Sequence, residues 1–294
     1  MAEIGFSFAI EEICLVLFTT LAPAGAIALF TLSLIALRRF SDKAVLARLN
    51  LFMCVPIVVT IVGLVASTVH LGSPANALYV MCGVGRSPLS NEVASAVLFL
   101  GVAGLYWAYS FAERPKAAVQ RVWLAAIAAS AVVFVGFVAV AYSHETIVTW
   151  NTPFVPVSLC LNGLVGGPLL AFATLQAAGL CPCNARGRLG RALVAVSAGA
   201  LVANLVVMGL QLADLSGIAN AAGAALDRAP LAAPSAVLYG VLGAAACALC
   251  GVQAWGLGKP SLSKTLIALG LLFVGLFAVR FSFYMMHMTA GIGL

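Results

Sequence analysis

The chain has 294 residues, of which 63% are hydrophobic and only 8% charged, with a mean hydropathy of +1.13. So little polar surface cannot coat a water-soluble globule of this length, which excludes a soluble enzyme or binding module. The formal charge of +6 comes from basic residues concentrated in alternate loops, a membrane-topology signal that gives no support to a nucleic-acid partner.

Crossing the hydrocarbon core of a bilayer takes roughly 20 predominantly apolar residues. Eight stretches qualify, at about 12–37, 48–70, 92–111, 120–142, 155–178, 189–212, 234–257 and 262–288. Runs this long and continuously apolar predict helices rather than the short alternating strands of a barrel. The expected fold is therefore an all-α integral membrane protein with eight transmembrane helices, grouped as two four-helix bundles. Residues 1–294 form a single integral membrane domain. Of the 15 lysines and arginines, 12 fall between spans 1 and 2, 3 and 4, 5 and 6, or 7 and 8. Positive residues in short loops stay on the cytoplasmic side, so both termini are expected to be extracytoplasmic.

Taken in order, span 1 is apolar apart from Thr19 and Thr20, with Pro23-Ala24-Gly25 expected to bend it. Span 2 ends at His70, with Gly72 and Pro74 as stop signals. Span 3 is predicted to start at Ser90-Asn91-Glu92, a helix start with capping groups and an acid in its first turn. Span 5 carries Gly163, Gly166, Gly167 and Pro168, which permit close helix approach or a kink. Gln211 and Asp214 close span 6, and residues 217–226 are expected to form a surface helix. Span 8 runs out through Arg280-Phe281-Ser282-Phe283-Tyr284-Met285-Met286-His287.

The chemistry-bearing residues lie at one face. All three histidines, His70, His144 and His287, map to the predicted outer third of the membrane or just beyond it, while the central layer is nearly bare of polar groups. His70 at a helix C-terminus and Glu92 at the next helix N-terminus are each favoured in their charged form by the helix dipole, and they are expected to face each other across one crevice. A quinol gives up two protons with its two electrons, so its site needs a proton acceptor near each hydroxyl. Imidazole suits the first acceptor, and Glu92 the second. Ionisable groups at membrane depth are expensive and mark functional sites, so Arg280 should pair with Glu92 or Asp214, or line a polar pocket. The candidate catalytic pair is His70 and Glu92. The candidate binding set around it is His70, Gly72, Ser73, Arg86, Asn91, Glu92, Arg280, Tyr284 and His287, with no metal ligands.

His70-Leu71-Gly72-Ser73-Pro74, followed by Val84-Gly85-x-Ser87-x-Leu89-Ser90-Asn91-Glu92, resembles the membrane-anchor family of dimethyl sulfoxide reductases, the DmsC-like subunits of molybdopterin oxidoreductases. Weaker echoes occur at Thr149-Trp150, at Gly166-Gly167-Pro168-Leu169-Leu170 and at Arg280-x-x-Phe283-Tyr284-x-x-His287-Met288-Thr289. The resemblance implies eight helices and outward termini in a prokaryotic cytoplasmic (inner) membrane. It also implies menaquinol oxidised to menaquinone without haem, and a complex with a ferredoxin-like iron–sulfur subunit and a molybdopterin catalytic subunit that hold the remaining cofactors. It gives His70 the role of quinol-site histidine and puts Glu92 in the same region. From the residues alone three alternatives stay open: a haem b anchor using His70 and His287 as ligands, a transporter, and an anchor with no quinol contact.

Overall fold

A computed structural model describes residues 2–69, 74–143, 145–180, 188–220 and 223–289. Its elements are α1 (Ala2–Glu11), α2 (Ile13–Arg38), α3 (Lys43–Phe52), α4 (Cys54–Val69), a 3₁₀ segment (Pro74–Gly83), α5 (Pro88–Tyr109), α6 (Ala117–Ala141), α7 (Phe154–Ala177) and α8 (Arg188–Leu215). A two-residue hairpin follows, β1 (Ala219–Asn220) and β2 (Gly223–Ala224), then α9 (Ala225–Arg228), α10 (Ala232–Ala254) and α11 (Leu262–Met285). Among the described residues eight helical segments are long and apolar enough to cross a membrane, with α3 and α4 counted as one. The all-α, eight-span architecture expected from hydropathy is therefore present.

Several boundaries differ from the expectation, each for a local reason. The second span begins at Lys43, because the Asp42 carboxylate accepts a hydrogen bond from Val45 N at 3.1 Å and caps the helix. It is interrupted at Met53: Pro56 has no N–H to give the Phe52 carbonyl, the loss proline causes one turn downstream. The third span starts at Pro88 with Ser87 in extended backbone as its N-cap, so Glu92 lies beyond the first turn instead of within it. Proline at the first helical position costs nothing, since that N–H has no helical partner anyway. The described residues among 217–226 do not form the expected surface helix. Gly223, at φ +119°, turns the chain into the β1–β2 hairpin, and only the single turn of α9 follows. α2, for its part, runs unbroken through Pro23.

The packing centres on α2 and α7. α2 contacts α4, α6, α7 and α11, while α7 also packs on α8; α5 lies on α6, and α10 on α8 and α11. Small residues make this possible, because in lipid helices associate through close van der Waals contact. A Cβ on Gly167 would sit 2.5 Å from the Ile27 side chain and 3.0 Å from Ala28 N, and one on Gly25 would meet Thr60 and lie 2.9 Å from Pro56 O. Hydroxyls on α2 are satisfied within the helix: Thr20 and Thr31 donate to Val16 O and Ile27 O at 2.7 and 2.8 Å.

The middle of the second half is more polar than the expectation of a bare central layer. Asn204 of α8 donates to Asn162 Oδ1 at 2.6 Å and to Tyr239 Oη at 3.2 Å. These bonds tie three unbroken helices together, the role side-chain amides play between helices in lipid. Gly167→Ala should lower stability by roughly 1–3 kcal/mol, the cost of overpacking. Gly101→Ala, whose added Cβ meets nothing within 4 Å, should not lower it. Thermal unfolding in detergent, followed by circular dichroism, measures both.

Candidate functional site

The polar groups that the sequence places at one face are built into the end of the bundle where α11 finishes. Arg280 is only 3% exposed. Its Nε donates to Thr19 Oγ1 of α2 at 3.0 Å. Its guanidinium lies 4.0 Å from the Phe283 ring centroid, 5.6 Å from that of Tyr284 and 5.7 Å from that of Tyr142. The expectation of an acidic partner is corrected here, since among the described residues Arg280 makes no ion pair with Glu92 or Asp214, and Asp214 is exposed. Aromatic faces and one hydroxyl hold the cation instead, an arrangement that strengthens as water is excluded. Arg280 also lines a small cavity of about 20 Å³, whose lining mixes Ser158, Asn162 and Gln211 with Val155, Met208 and Phe283. That is room for about one water molecule.

The α6–α7 loop closes this end. Val148 N bonds Met288 O at 3.0 Å, Thr149 Oγ1 donates to Met286 O at 2.6 Å, and Trp150 Nε1 donates to Phe283 O at 3.3 Å. The first two bonds satisfy carbonyls just past the end of α11 that would otherwise be left open, and the third adds to Phe283 O, which also accepts from Met286 N at 3.2 Å. The Trp150 ring stacks on Phe283 at 4.6 Å and meets Tyr284 edge-on at 5.6 Å.

Glu92, one turn into α5, is 5% exposed and lies within electrostatic reach of both Tyr142 and Tyr284. None of the described residues donates a hydrogen bond to its carboxyl. Of the expected set, then, Arg280 and Tyr284 pack together, with Glu92 in electrostatic reach of Tyr284. His287 sits at the edge of the same cluster, stacked on Phe8 of α1 at 4.1 Å and edge-on to Trp150 at 5.3 Å. Arg228 Nη1 donates to the His287 carbonyl at 3.0 Å. Asn91 does something else: its Oδ1 accepts from Gly85 N at 2.6 Å, pinning the turn that precedes α5, where Gly85 needs a φ of +84°. Arg86 is exposed on that turn. His70, Gly72, Ser73 and His144 lie outside the described residues.

Against known proteins, a profile of the family described as "DMSO reductase anchor subunit (DmsC)" matches residues 7–286. The protein belongs to this anchor-subunit family. It is 30% identical over 283 residues to the YnfH subunit of an anaerobic dimethyl sulfoxide reductase of Escherichia coli K12, covering 95% of this protein and 96% of that one. It is 34% identical over 235 residues to the C subunit of the same organism's anaerobic dimethyl sulfoxide reductase, covering 78% and 79%. The C subunit of the Haemophilus influenzae enzyme is 30% identical over 166 residues, or 56% and 58% of the two proteins. The protein is thus a multi-pass membrane anchor subunit.

In this DmsC-family protein, two stretches that resemble the family only weakly in sequence, Thr149-Trp150 and Arg280 to Thr289, dock on each other. Thr19, Tyr142, Phe283 and Phe8 were not singled out as site residues. The signals for them were faint: Thr19 is one of two hydroxyls at the start of an apolar span, and Tyr142 resembles any interfacial aromatic.

Burial and the positive charge of Arg228 both disfavour the imidazolium of His287, which lowers its proton affinity. An undocked His287 would bind protons near pH 6.5, more readily than the docked one, so docking of α1 is fully stable above that pH and weakens as pH falls below it. Hydrogen exchange of the α1 amides, corrected for intrinsic rates, should therefore quicken on acidification below about pH 6.5. His287→Phe, which keeps a ring on Phe8, should remove the pH dependence.

Proposed function

We propose that this subunit binds menaquinol at the end of the bundle holding Glu92, Arg280 and Tyr284, accepts its protons there, and lets its electrons leave to an iron–sulfur subunit docked on the same face. A molybdopterin catalytic subunit lies beyond that partner. The observation that carries this reading is Glu92, an acid only 5% exposed whose carboxyl has no hydrogen-bond donor among the described residues and which lies within electrostatic reach of Tyr142 and Tyr284, two of the rings around Arg280. A carboxyl on so little-exposed a residue gains from a hydrogen-bond donor. A hydroquinone hydroxyl is a group that satisfies it.

Oxidising a quinol to the quinone removes two electrons and releases two protons. Ionised Glu92 accepts one proton, and the imidazole of His70, given this role by the family resemblance, accepts the other. Arg280 adds a fixed positive charge that favours a deprotonated ring oxygen in a site shielded from water. Tyr142 and Tyr284, whose rings lie beside the guanidinium, supply hydroxyl groups able to relay a proton or hold a ring oxygen. The distribution of basic residues supports an extracytoplasmic position for this end, with both termini outside the cytoplasmic membrane. Protons and electrons then leave on one side, no charge crosses the bilayer, and the subunit acts as a redox relay and not a pump.

In the assembled complex, Glu92→Gln and His70→Arg should each cut quinol-dependent reduction by about 10²-fold or more, the usual worth of a positioned proton acceptor. Reduction driven by an artificial dye, which bypasses the quinol, should stay at the wild-type level. Quinol turnover unchanged in both variants would reject the assignment.

A further inference from the structure

The opposite end of the molecule carries a second feature, unrelated to quinol chemistry. A groove of about 480 Å³ opens there between α2 and α8, with α7 as its floor. Its walls are apolar. Ile27, Phe30 and Leu34 line the α2 side, and Leu189, Ala192 and Val196 line the α8 side, at the three- and four-residue spacing that puts residues on one helix face. Leu164 and Pro168 of α7 form the base. The volume falls within the roughly 300–1,000 Å³ of sites that hold small apolar ligands.

Three arginines, Arg38, Arg39 and Arg188, stand at the mouth of the groove, all exposed. None forms an ion pair with a described acid. The nearest acid in sequence, Asp42, is engaged in capping α3. Arg188 is moreover the first described residue of α8, near the helix end where the dipole presents positive charge, and no acid among the described residues pairs with it, so an anion there would relieve a repulsion. Apolar walls long enough for hydrocarbon, capped at the membrane surface by cations, match an amphiphile with an anionic head.

We infer that this groove is a binding site for an anionic glycerophospholipid, with an acyl chain lying between α2 and α8 and the phosphate held by Arg38, Arg39 and Arg188. Basic pockets between transmembrane helices recognise anionic head groups through the same chemistry. A neutral phospholipid would fill the walls equally well but leave the three cations unpaired, and free phosphate would meet the cations but gain nothing from the walls. Bound lipid would also fill the gap that separates α2 from α8 at this end and so brace the two helices.

The test uses the intact complex, stripped of lipid in detergent, then exposed to phosphatidylcholine vesicles with or without phosphatidylglycerol; retained lipid is identified by native mass spectrometry. Phosphatidylglycerol should be retained over phosphatidylcholine, and excess inorganic phosphate should not displace it. Arg38→Gln/Arg39→Gln/Arg188→Gln should lower that preference at least about tenfold, since each surface cation contributes roughly fivefold, whereas the triple lysine variant should keep most of it. Because removing three basic residues can disturb membrane insertion, Ala192→Phe provides a second test: it narrows the groove with every charge in place, and should also abolish retention. Equal retention of phosphatidylcholine, displacement by phosphate, or undiminished retention in Ala192→Phe would overturn the inference. So would the appearance of a quinone as the molecule lost from that variant.

Discussion

Arg280 imposes the strongest single demand on this fold. A guanidinium carried more than a turn inside a membrane span cannot be left to the lipid, and polar groups at that depth must find partners within the protein. The partners come from four places at once: a hydroxyl of α2 at Thr19, the ring at the end of α6, and two rings of α11 itself, with Nη2 left without a hydrogen bond among the described residues. Because those rings must stay in place, the α6–α7 loop is fastened over them through Thr149 and Trp150, and α1 is drawn onto the same end through Phe8 and His287. One buried cation thus accounts for the order of an entire end of the bundle.

Thr19 can reach Arg280 only because α2 sits at the centre of the molecule, and it sits there because glycines let its neighbours approach. Gly167 and Gly166 of α7 lie against Ile27, Ala28 and Ala24, and Gly25 of α2 accepts the backbone of α4 at Pro56. The same contacts have a consequence at the other end. α7 is held tight to α2 near its middle, and beside that contact, along Ile27, Leu164 and Pro168, a groove opens between α2 and α8. The ordered aromatic end and the open arginine-rimmed end are two outcomes of one pattern of small residues.

Hydropathy made the eight spans legible, since lipid punishes any long apolar run that does not cross and any polar run that does. The ends of the spans were less legible. Lys43 opens a helix because Asp42 caps it, and Pro88 opens another because proline suits a first helical position; a charged or proline-bearing segment contributes nothing to an apolar count. Residues 217–226 look helical from their alanines, yet two glycines within them allow a hairpin. The candidate site was half legible. Glu92, Arg280 and Tyr284 stand out as rare polar residues at the same predicted depth; Arg280 and Tyr284 pack together, and Glu92 lies within electrostatic reach of Tyr284. Their manner of meeting was not legible, because sequence reasoning pairs a cation with an acid, whereas rings and hydroxyls from α2, α6 and α11 become partners only once the helices are packed. Asn91 shows the converse: a polar residue inside the family-like motif whose amide is taken up by the Gly85 turn.

The lack of a direct bond between Glu92 and Arg280 bears on the proposed chemistry. A carboxylate locked to a buried guanidinium would be held as the anion, and breaking that pair to move a proton would leave an uncompensated charge in a dry site. With no ion pair between them among the described residues, neither group fixes the other's protonation. On the proposed reading Glu92 is free to change protonation as a hydroxyl approaches and departs, while Arg280, anchored by Thr19 and its aromatic box, keeps a constant positive charge. A stationary cation beside a carboxyl that can exchange its proton is what repeated quinol oxidation requires, and an ion pair at the same positions would have supplied stability at the expense of turnover.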